Sequence, residues 1–296
     1  MGQLVRSSLE PSTLKSYQSV WTNFRKFSHT ILKCEVRLPV QESIIGRYVT
    51  HLYAIGLKPR TIQSHLSALA FVHKIRNLPD PTQSFFIAKL MAGISKQNPS
   101  CDGRLPITMN LLRRMLPAVR ACSPTPNDAQ MYVSMCLFAY YACLRVGEIT
   151  ITNTKSLNIL KIHQLSVKRK SVTVHFERFK HSKGRTHTLE IQTVADPASC
   201  PVHQLRLYLA KRGSHQGPIF CNLDYTAVTR HQFLKILHTS LQFIGVIPKH
   251  FNTHSFRIGR CTDLVKAGHS ESQIMLIGRW QSSAFLRYIR PSVVKA

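Results

Sequence analysis

Apolar residues recur at helical spacing throughout the first hundred positions of the chain. The first stripe runs from Leu14 to Ile31, and the stripes together predict four helices, at about 14–31, 44–55, 59–75 and 81–95. Gly56 follows the second stripe, where helix ends favour glycine, and Pro59 suits the first turn of the third helix. The pattern therefore predicts a compact helical domain.

The pattern changes after residue 97. Segment 98–106 is polar, contains glycine and proline and has no periodicity, so we predict a linker between domains at 1–97 and 107–296. Further on, two alternating, β-branched segments predict a hairpin with Gly184 at its turn. The strands are predicted at 171–180 and 186–193, and helices at about 108–121, 127–143, 201–211, 229–244, 255–267, 271–277 and 282–289. The fold class is therefore mainly α with a small β-sheet.

The charge of the chain narrows its function. Lysine and arginine total 40 against 13 aspartates and glutamates, which gives a formal net charge of +27. This excess argues against a typical neutral metabolic enzyme and indicates a polyanionic partner: DNA, RNA or an anionic membrane surface. No apolar run approaches the roughly 20 residues of a membrane span, and the N-terminus lacks the apolar centre of a signal peptide. The eight cysteines form no CxxC pair, which favours reduced thiols in an intracellular protein and predicts no metal site.

Four polar clusters interrupt the apolar pattern of the second domain. Each has an ordinary explanation when taken alone: a helix-face ion pair, a solvated turn, a helix cap, or aromatic packing. In chain order the clusters are Arg145 with Glu148 in LRVGEI, Lys180, His181, Lys183 and Arg185 in the hairpin turn, His254 with Arg257 in THSFRIG, and Trp280 with Tyr288 in GRWQSSAFLRYIRP.

The order of these clusters resembles the tyrosine recombinase, or phage integrase, family. The stretch GLKPRTIQSHLSAL is similar to the DNA-embracing helix of a Cre-type core-binding domain, so the resemblance covers nearly the whole chain. It implies a core-binding domain of four to five helices at 1–97 and a mixed α/β catalytic domain at 107–296. The GRW box with SSAFLRYIRP also resembles recombinases of Crypton- and DIRS-type mobile elements.

The resemblance implies a site-specific recombinase that cleaves and rejoins DNA through a covalent 3′-phosphotyrosine, with no metal or cofactor. Its partners would be double-stranded recombination sites, on which the family pattern implies a homotetramer of two dimers. We expect an intracellular protein, nuclear in a eukaryote and cytoplasmic or in the nucleoid in a prokaryote. A catalytically inactive DNA-binding protein and a nicking-religating enzyme of the type IB topoisomerase kind are the alternatives. The complete catalytic set argues against the first, and the helical N-terminal domain argues against the second.

The expected roles follow from the chemistry of phosphodiester cleavage. Arg145 and Arg257 would hold the non-bridging oxygens, because guanidinium groups match them in pairs and stay charged. Tyr288 would be the nucleophile, and its phenol, with an ordinary pKa of about 10, needs a base and nearby cations. His254 would be that base or a hydrogen-bonding partner of the phosphate.

The remaining roles are assigned to three further positions. We expect Lys183 to protonate the departing 5′-oxygen; Lys180 is its rival, but SKG resembles the turn of the family more closely. Trp280 stands where many relatives have histidine, and its indole can donate but not accept a proton, which favours positioning and packing. Glu148 is expected to orient Arg145 or His254.

Candidate DNA contacts lie in both domains. Gln63 suits adenine, Arg60 suits guanine or phosphate, and Arg230 stands where Cre-type enzymes have a groove-reading arginine. A solvated helix face is the alternative for the first domain. The full set is Lys58, Arg60, Thr61, Gln63, Ser64, His65, Arg76, Arg104, Arg230, His231 and Lys235.

The segment after Tyr288 departs from the family pattern, because only IRPSVVKA follows. Cre-type enzymes continue with a helix that docks into a neighbouring protomer. We therefore expect either that the chain is shortened or that another element makes this contact.

Overall fold

The computed structural model describes residues 8–99, 102–152, 158–177, 179 and 184–290. The chain divides into two compact units, Met1–Asp102 and Gly103–Ala296. The described residues are mostly helical, with one three-stranded sheet, which confirms the predicted fold class. None of the described helices is both long and apolar enough to cross a membrane.

The first unit contains the four predicted helices around one apolar core. Phe24, Ile45, Ile62 and Leu69 are fully buried in this core. The fourth stripe begins as a 3-10 turn, Pro81–Gln83, and becomes an α-helix where the Ser84 hydroxyl accepts from the Ile87 amide. The helices are α1 (Pro11–Thr30), α2 (Glu42–Ala54), α3 (Pro59–Lys74) and α4 (Phe85–Gln97).

The second unit is built around a central helix that is buried on all sides. Every residue of this helix from Ala129 to Tyr140 is buried, as expected for a helix surrounded by other elements. The helices of this unit are α5 (Met109–Cys122), α6 (Pro126–Tyr141, the central one), α7 (Val146–Ile149), α8 (Pro201–Arg212), α9 (Arg230–Phe243), α10 (Ser255–Lys266) and α11 (Glu271–Gly278).

The sheet is antiparallel, with strand order β1 (Leu165–Val167), β2 (Ser171–Phe176) and β3 (His187–Gln192). The hairpin of β2 and β3 was predicted, and its last pair is Phe176 with His187. Strand β1 was not predicted, because three residues are too few to show alternation. Gly184, the predicted turn residue, has a φ of 79°, a left-handed conformation that favours glycine.

Two segments distant in sequence pack against α10. A Cβ on Gly259 would lie 1.8 Å from the carbonyl oxygen of Ile107, so only glycine lets α10 approach this segment so closely. The segment predicted as a helix at 282–289 is instead a 3-10 helix, Ser283–Tyr288, packed against α10. Phe285 is its buried anchor.

Candidate active site

The N-terminus of α10 carries His254 and Arg257 one turn apart. His254 caps the helix, and its amide donates to Oδ1 of Asn252 at 2.8 Å. Arg257 is fully buried, and its guanidinium donates to the carbonyls of Cys143 and Gly278. The pair is therefore adjacent, as the HxxR spacing predicts, but Arg257 faces main-chain carbonyls rather than solvent.

Arg145 and Glu148 form a compact unit at α7. The backbone amide of Arg145 donates to Oε2 of Glu148 at 2.8 Å, and its Nη1 lies 3.3 Å from Oε1. The Arg145 side chain keeps 20% of its surface exposed, whereas Glu148 keeps 4%. Glu148 thus contacts Arg145, one of its two predicted partners. Its second contact is Arg279, at 2.7 Å, and not the other predicted partner, His254.

Each residue of the GRW box has its own structural role. A Cβ on Gly278 would lie 1.6 Å from the ring of Trp280, so glycine makes the space that this ring fills. Trp280 stacks against Arg257, with the guanidinium carbon 4.4 Å from the ring centroid. Arg279 turns inward with a left-handed φ of 55° and is buried against Phe176 and Glu148.

Tyr288 closes the site over the buried arginine. Its ring centroid lies 5.3 Å from that of Trp280 and 6.3 Å from that of His254. The guanidinium carbon of Arg257 lies 5.4 Å from the same ring. The phenol of Tyr288, the imidazole of His254 and the guanidinium of Arg257 therefore lie side by side, where they can bind an oxyanion and accept a phenolic proton.

The structure thus places the side chains of Arg257, His254, Trp280 and Tyr288 next to one another. Arg145 is close enough for its positive charge to lower the pKa of His254. Lys183, the predicted general acid, and its rival Lys180 lie outside the described residues.

The site is strongly electropositive. Burial and, to a smaller extent, the charges of neighbouring guanidinium groups together lower the pKa of His254 to about 4. His254 is therefore neutral near pH 7 and has a free lone pair for a proton. The arginines that exert this effect are Arg104, Arg257, Arg230 and Arg145. Two predicted DNA contacts, Arg104 and Arg230, thus lie close enough to act on the site.

Most of the predicted DNA contacts are exposed to solvent. His65 differs from its neighbours, because it is half-buried and its Nδ1 lies 2.9 Å from the Tyr48 hydroxyl. Arg104 is also only partly exposed. The exposed members are Lys58, Arg60, Thr61, Gln63 and Ser64 at the start of α3, Arg76 beyond its end, and Arg230, His231 and Lys235 on α9.

Sequence reasoning missed Arg279. In the sequence it is one of 40 basic residues, most of which are expected on the surface, and only its position between Gly278 and Trp280 sets it apart. The space that Gly278 provides was also missed, because nothing in the sequence shows which side chain approaches a glycine.

Comparisons with known proteins match this architecture. A family model described as "Phage integrase family" matches residues 108–292. The Cre recombinase of Escherichia phage P1 is 25% identical over 263 residues, which cover 85% of this chain and 76% of that protein.

Solved structures share the fold at lower identity. The Tn1549 transposon integrase, solved in complex with circular intermediate DNA, has a TM-score of 0.67 at 14% identity and covers 98% of this chain and 93% of its own. The XerH site-specific recombinase bound to its palindromic difH substrate has a TM-score of 0.65 at 17% identity, covering 90% of this chain and 75% of its own.

Proposed function

The chain belongs to the phage integrase family, and on that premise we propose that it is a site-specific DNA recombinase acting through a 3′-phosphotyrosine intermediate. The family predicted from the order of the polar clusters is thereby confirmed, and an origin in a Crypton- or DIRS-type element stays a prediction. The observation that carries the proposal is the position of the Tyr288 ring, whose centroid lies 6.3 Å from that of His254 and 5.4 Å from the guanidinium carbon of Arg257.

The proposed chemistry is a reversible phosphoryl transfer. The phenolic oxygen of Tyr288 attacks the phosphorus, its proton passes to neutral His254, and the bond to the 5′-oxygen breaks. A general acid protonates the departing 5′-oxygen, and Lys183 is assigned this step on the family pattern, with Lys180 as its rival. A 5′-hydroxyl from the partner duplex then attacks the phosphorus and gives its proton to the general acid. The bond to the Tyr288 oxygen breaks, because a phenolate is a better leaving group than an alkoxide, and the phenolate regains its proton from His254.

The arginines stabilise the charge that develops on the phosphate oxygens. Arg145 is partly exposed and ready for a phosphate, whereas Tyr288 covers Arg257. We therefore assign the 3-10 segment of Tyr288 a shift on DNA binding that opens Arg257 to the phosphate. Trp280, held in place by the space at Gly278, keeps the guanidinium plane in position.

DNA binding is proposed for both units. The start of α3 exposes Lys58, Arg60 and Gln63, and α9 exposes Arg230 and Lys235. A net charge of +27 supports extensive phosphate contact and a steep dependence of affinity on salt. Three relatives of this fold, a Tn1549 integrase, XerH and a lambda integrase dimer, were solved on DNA, which supports the same partner here. A homotetramer on two sites belongs to the proposal as the assembly that strand exchange requires.

Trapping the intermediate tests the proposal. Duplexes are first selected for binding from a randomised pool, and a single nick is then moved along them so that cleavage releases a short fragment irreversibly. We expect an SDS-resistant adduct with the wild-type chain, none with Tyr288→Phe, and an unchanged amount with Tyr225→Phe, a control at an exposed tyrosine of the same unit. Absence of the adduct on every selected duplex would favour an inactive DNA-binding protein. Relaxation of supercoils without exchange between paired sites would favour a topoisomerase-like enzyme.

A further inference from the structure

Arg279 occupies a position that is costly for an arginine. Its side chain is 0% exposed, and its backbone has φ 55° and ψ 48°, the left-handed region that non-glycine residues avoid. A buried charge is retained only when it is paired and hydrogen-bonded. Such a combination of burial and backbone strain is typical of residues that a functional site requires.

The guanidinium of Arg279 joins several elements of the second unit. It donates to Oε2 of Glu148 at 2.7 Å and to the carbonyl of Ala142, at the end of α6, at 3.0 Å. Its guanidinium carbon lies 3.9 Å from the ring centroid of Phe176, the last residue of β2. Arg279 itself lies directly before Trp280 in the segment that leads to Tyr288. One side chain therefore connects the Arg145 segment, the start of the hairpin and the tyrosine segment.

Glu148 links the buried Arg279 to Arg145, the arginine assigned to the phosphate. Its carboxylate lies between two arginines, with Oε1 3.3 Å from Nη1 of Arg145 and Oε2 2.7 Å from Nη2 of Arg279. Oε2 also accepts from the backbone amide of Arg145 at 2.8 Å, so Arg279 fills the remaining acceptor position of this oxygen. Without Arg279, that position would be open to a second N–H of the Arg145 guanidinium. A buried carboxylate and a guanidinium with no other partners form a bidentate ion pair, which is their strongest geometry.

We propose that Arg279 is a positioning residue, which fills the remaining acceptor position on Oε2 of Glu148 and so leaves the Arg145 guanidinium held by one hydrogen bond and available to a phosphate. The inference rests on the proposed function, because it assigns Arg145 to the scissile phosphate. In the absence of Arg279, Glu148 draws Arg145 away from the phosphate, and the tyrosine segment loses its link to the Arg145 segment.

The chain provides a matched control for the loss of a buried arginine. Arg212 is 7% exposed and donates to the main-chain carbonyls of Pro218, Gly213 and His215, none of which belongs to the site. Arg212→Met therefore removes comparable buried hydrogen bonds from the same unit. A purely structural role for Arg279 predicts that Arg279→Met and Arg212→Met behave alike.

The test compares DNA affinity with the cleavage rate at saturating protein on a nicked duplex. For Arg279→Met we expect an unchanged affinity and a cleavage rate lower by about 100-fold, the order of effect of losing one donor to the transition-state phosphate. Arg279→Lys retains a charge for Glu148 and is expected to recover about 10-fold of that loss. The double variant Glu148→Gln/Arg279→Met is expected to cleave faster than Arg279→Met alone, because it removes the carboxylate that captures Arg145.

Three results would overturn the inference. They are equal cleavage by Arg279→Met and Arg212→Met, a parallel fall in affinity and rate, and a double variant no faster than Arg279→Met. If Arg279→Met and the double variant do not fold, Arg279→Lys decides: wild-type cleavage by this variant contradicts the inference, and slow cleavage with unchanged affinity supports it.

A second readout does not need catalysis. Labelling with a dicarbonyl reagent specific for arginine, quantified by mass spectrometry, measures how accessible Arg145 is relative to exposed Arg60. We expect slower labelling of Arg145 in Arg279→Met and no change in Arg212→Met, and equal rates in all three chains would contradict the inference. Failure of the wild-type chain to form any adduct would refute the proposed function, and labelling would then decide the inference separately.

Discussion

The substitution Gly278→Ala tests how the site holds its buried arginine. The added Cβ would lie 1.6 Å, 2.0 Å and 2.4 Å from three atoms of the Trp280 ring. Carbon atoms rest at about 3.5–4.0 Å, so the ring has to withdraw by roughly 2 Å. Its centroid, now 4.4 Å from the guanidinium carbon of Arg257, would move to the limit of a cation–π contact, which is about 6 Å.

The expected magnitude follows from the contact that is lost. A desolvated cation–π pair contributes about 2 kcal/mol, and this amount in the transition state corresponds to roughly a 30-fold slower cleavage. The assay is the time course of adduct formation at saturating protein, below the temperature at which the variant unfolds. Overpacking of this kind also lowers the free energy of unfolding by about 1–3 kcal/mol, which urea titration measures.

A double variant separates the collision from other effects of the alanine. If the ring is the cause, Gly278→Ala/Trp280→Ala should cleave no more slowly than Trp280→Ala alone, because the collision no longer exists. Wild-type cleavage by Gly278→Ala would refute the reasoning. Additive losses in the double variant would do the same.

Three further predictions follow from the structure. His254 has a pKa of about 4 in the folded chain against 6.5 in an unfolded one, so it should stay neutral in an NMR titration from pH 7.5 to 5.5. Its contribution to the free energy of unfolding is full above pH 6.5 and is lost as the pH falls toward 4. Arg104→Gln should raise the midpoint of the titration, and a wild-type midpoint near 6.5 would contradict the burial argument. Gly259→Ala should lower the free energy of unfolding in urea by at least about 1–3 kcal/mol, because the added Cβ meets a backbone carbonyl. Gly93→Ala, the control at a helical glycine with open space around it, should raise the free energy of unfolding by about 0.5–1 kcal/mol, and equal effects of the two variants would refute the close approach of α10. Lys58→Gln should weaken DNA binding equally for all sequences and reduce the slope of log affinity against log salt by about 1; an unchanged slope would show that Lys58 contacts no phosphate. Gln63→Ala should instead relax the sequence preference at one base pair.

The sequence was informative wherever a pattern is local. Helical spacing located α1 to α3 within a few residues, and alternation located β2 and β3. Strand β1 was not predicted because Leu165–Val167 is only three residues long. The last predicted helix became a 3-10 helix because its packing on α10 through Phe285, rather than its spacing, determines its form.

The sequence indicated candidate members of the site but not their arrangement. The order of Arg145, His254, Arg257 and Tyr288 gave the resemblance, and the structure groups these residues. Whether an arginine faces solvent or a carbonyl depends on long-range contacts, such as the 114-residue separation between Arg257 and Cys143. The burial of Arg279 against Glu148, 131 residues away, has the same origin.

The chemical identity of the trapped adduct tests the central claim most directly. After protease and nuclease digestion, mass spectrometry should find one nucleotide joined through its 3′-phosphate to Tyr288, and polynucleotide kinase should label a free 5′-hydroxyl on the released fragment. A nucleotide on any other residue, or a 5′-phosphate on the released fragment, would contradict the account.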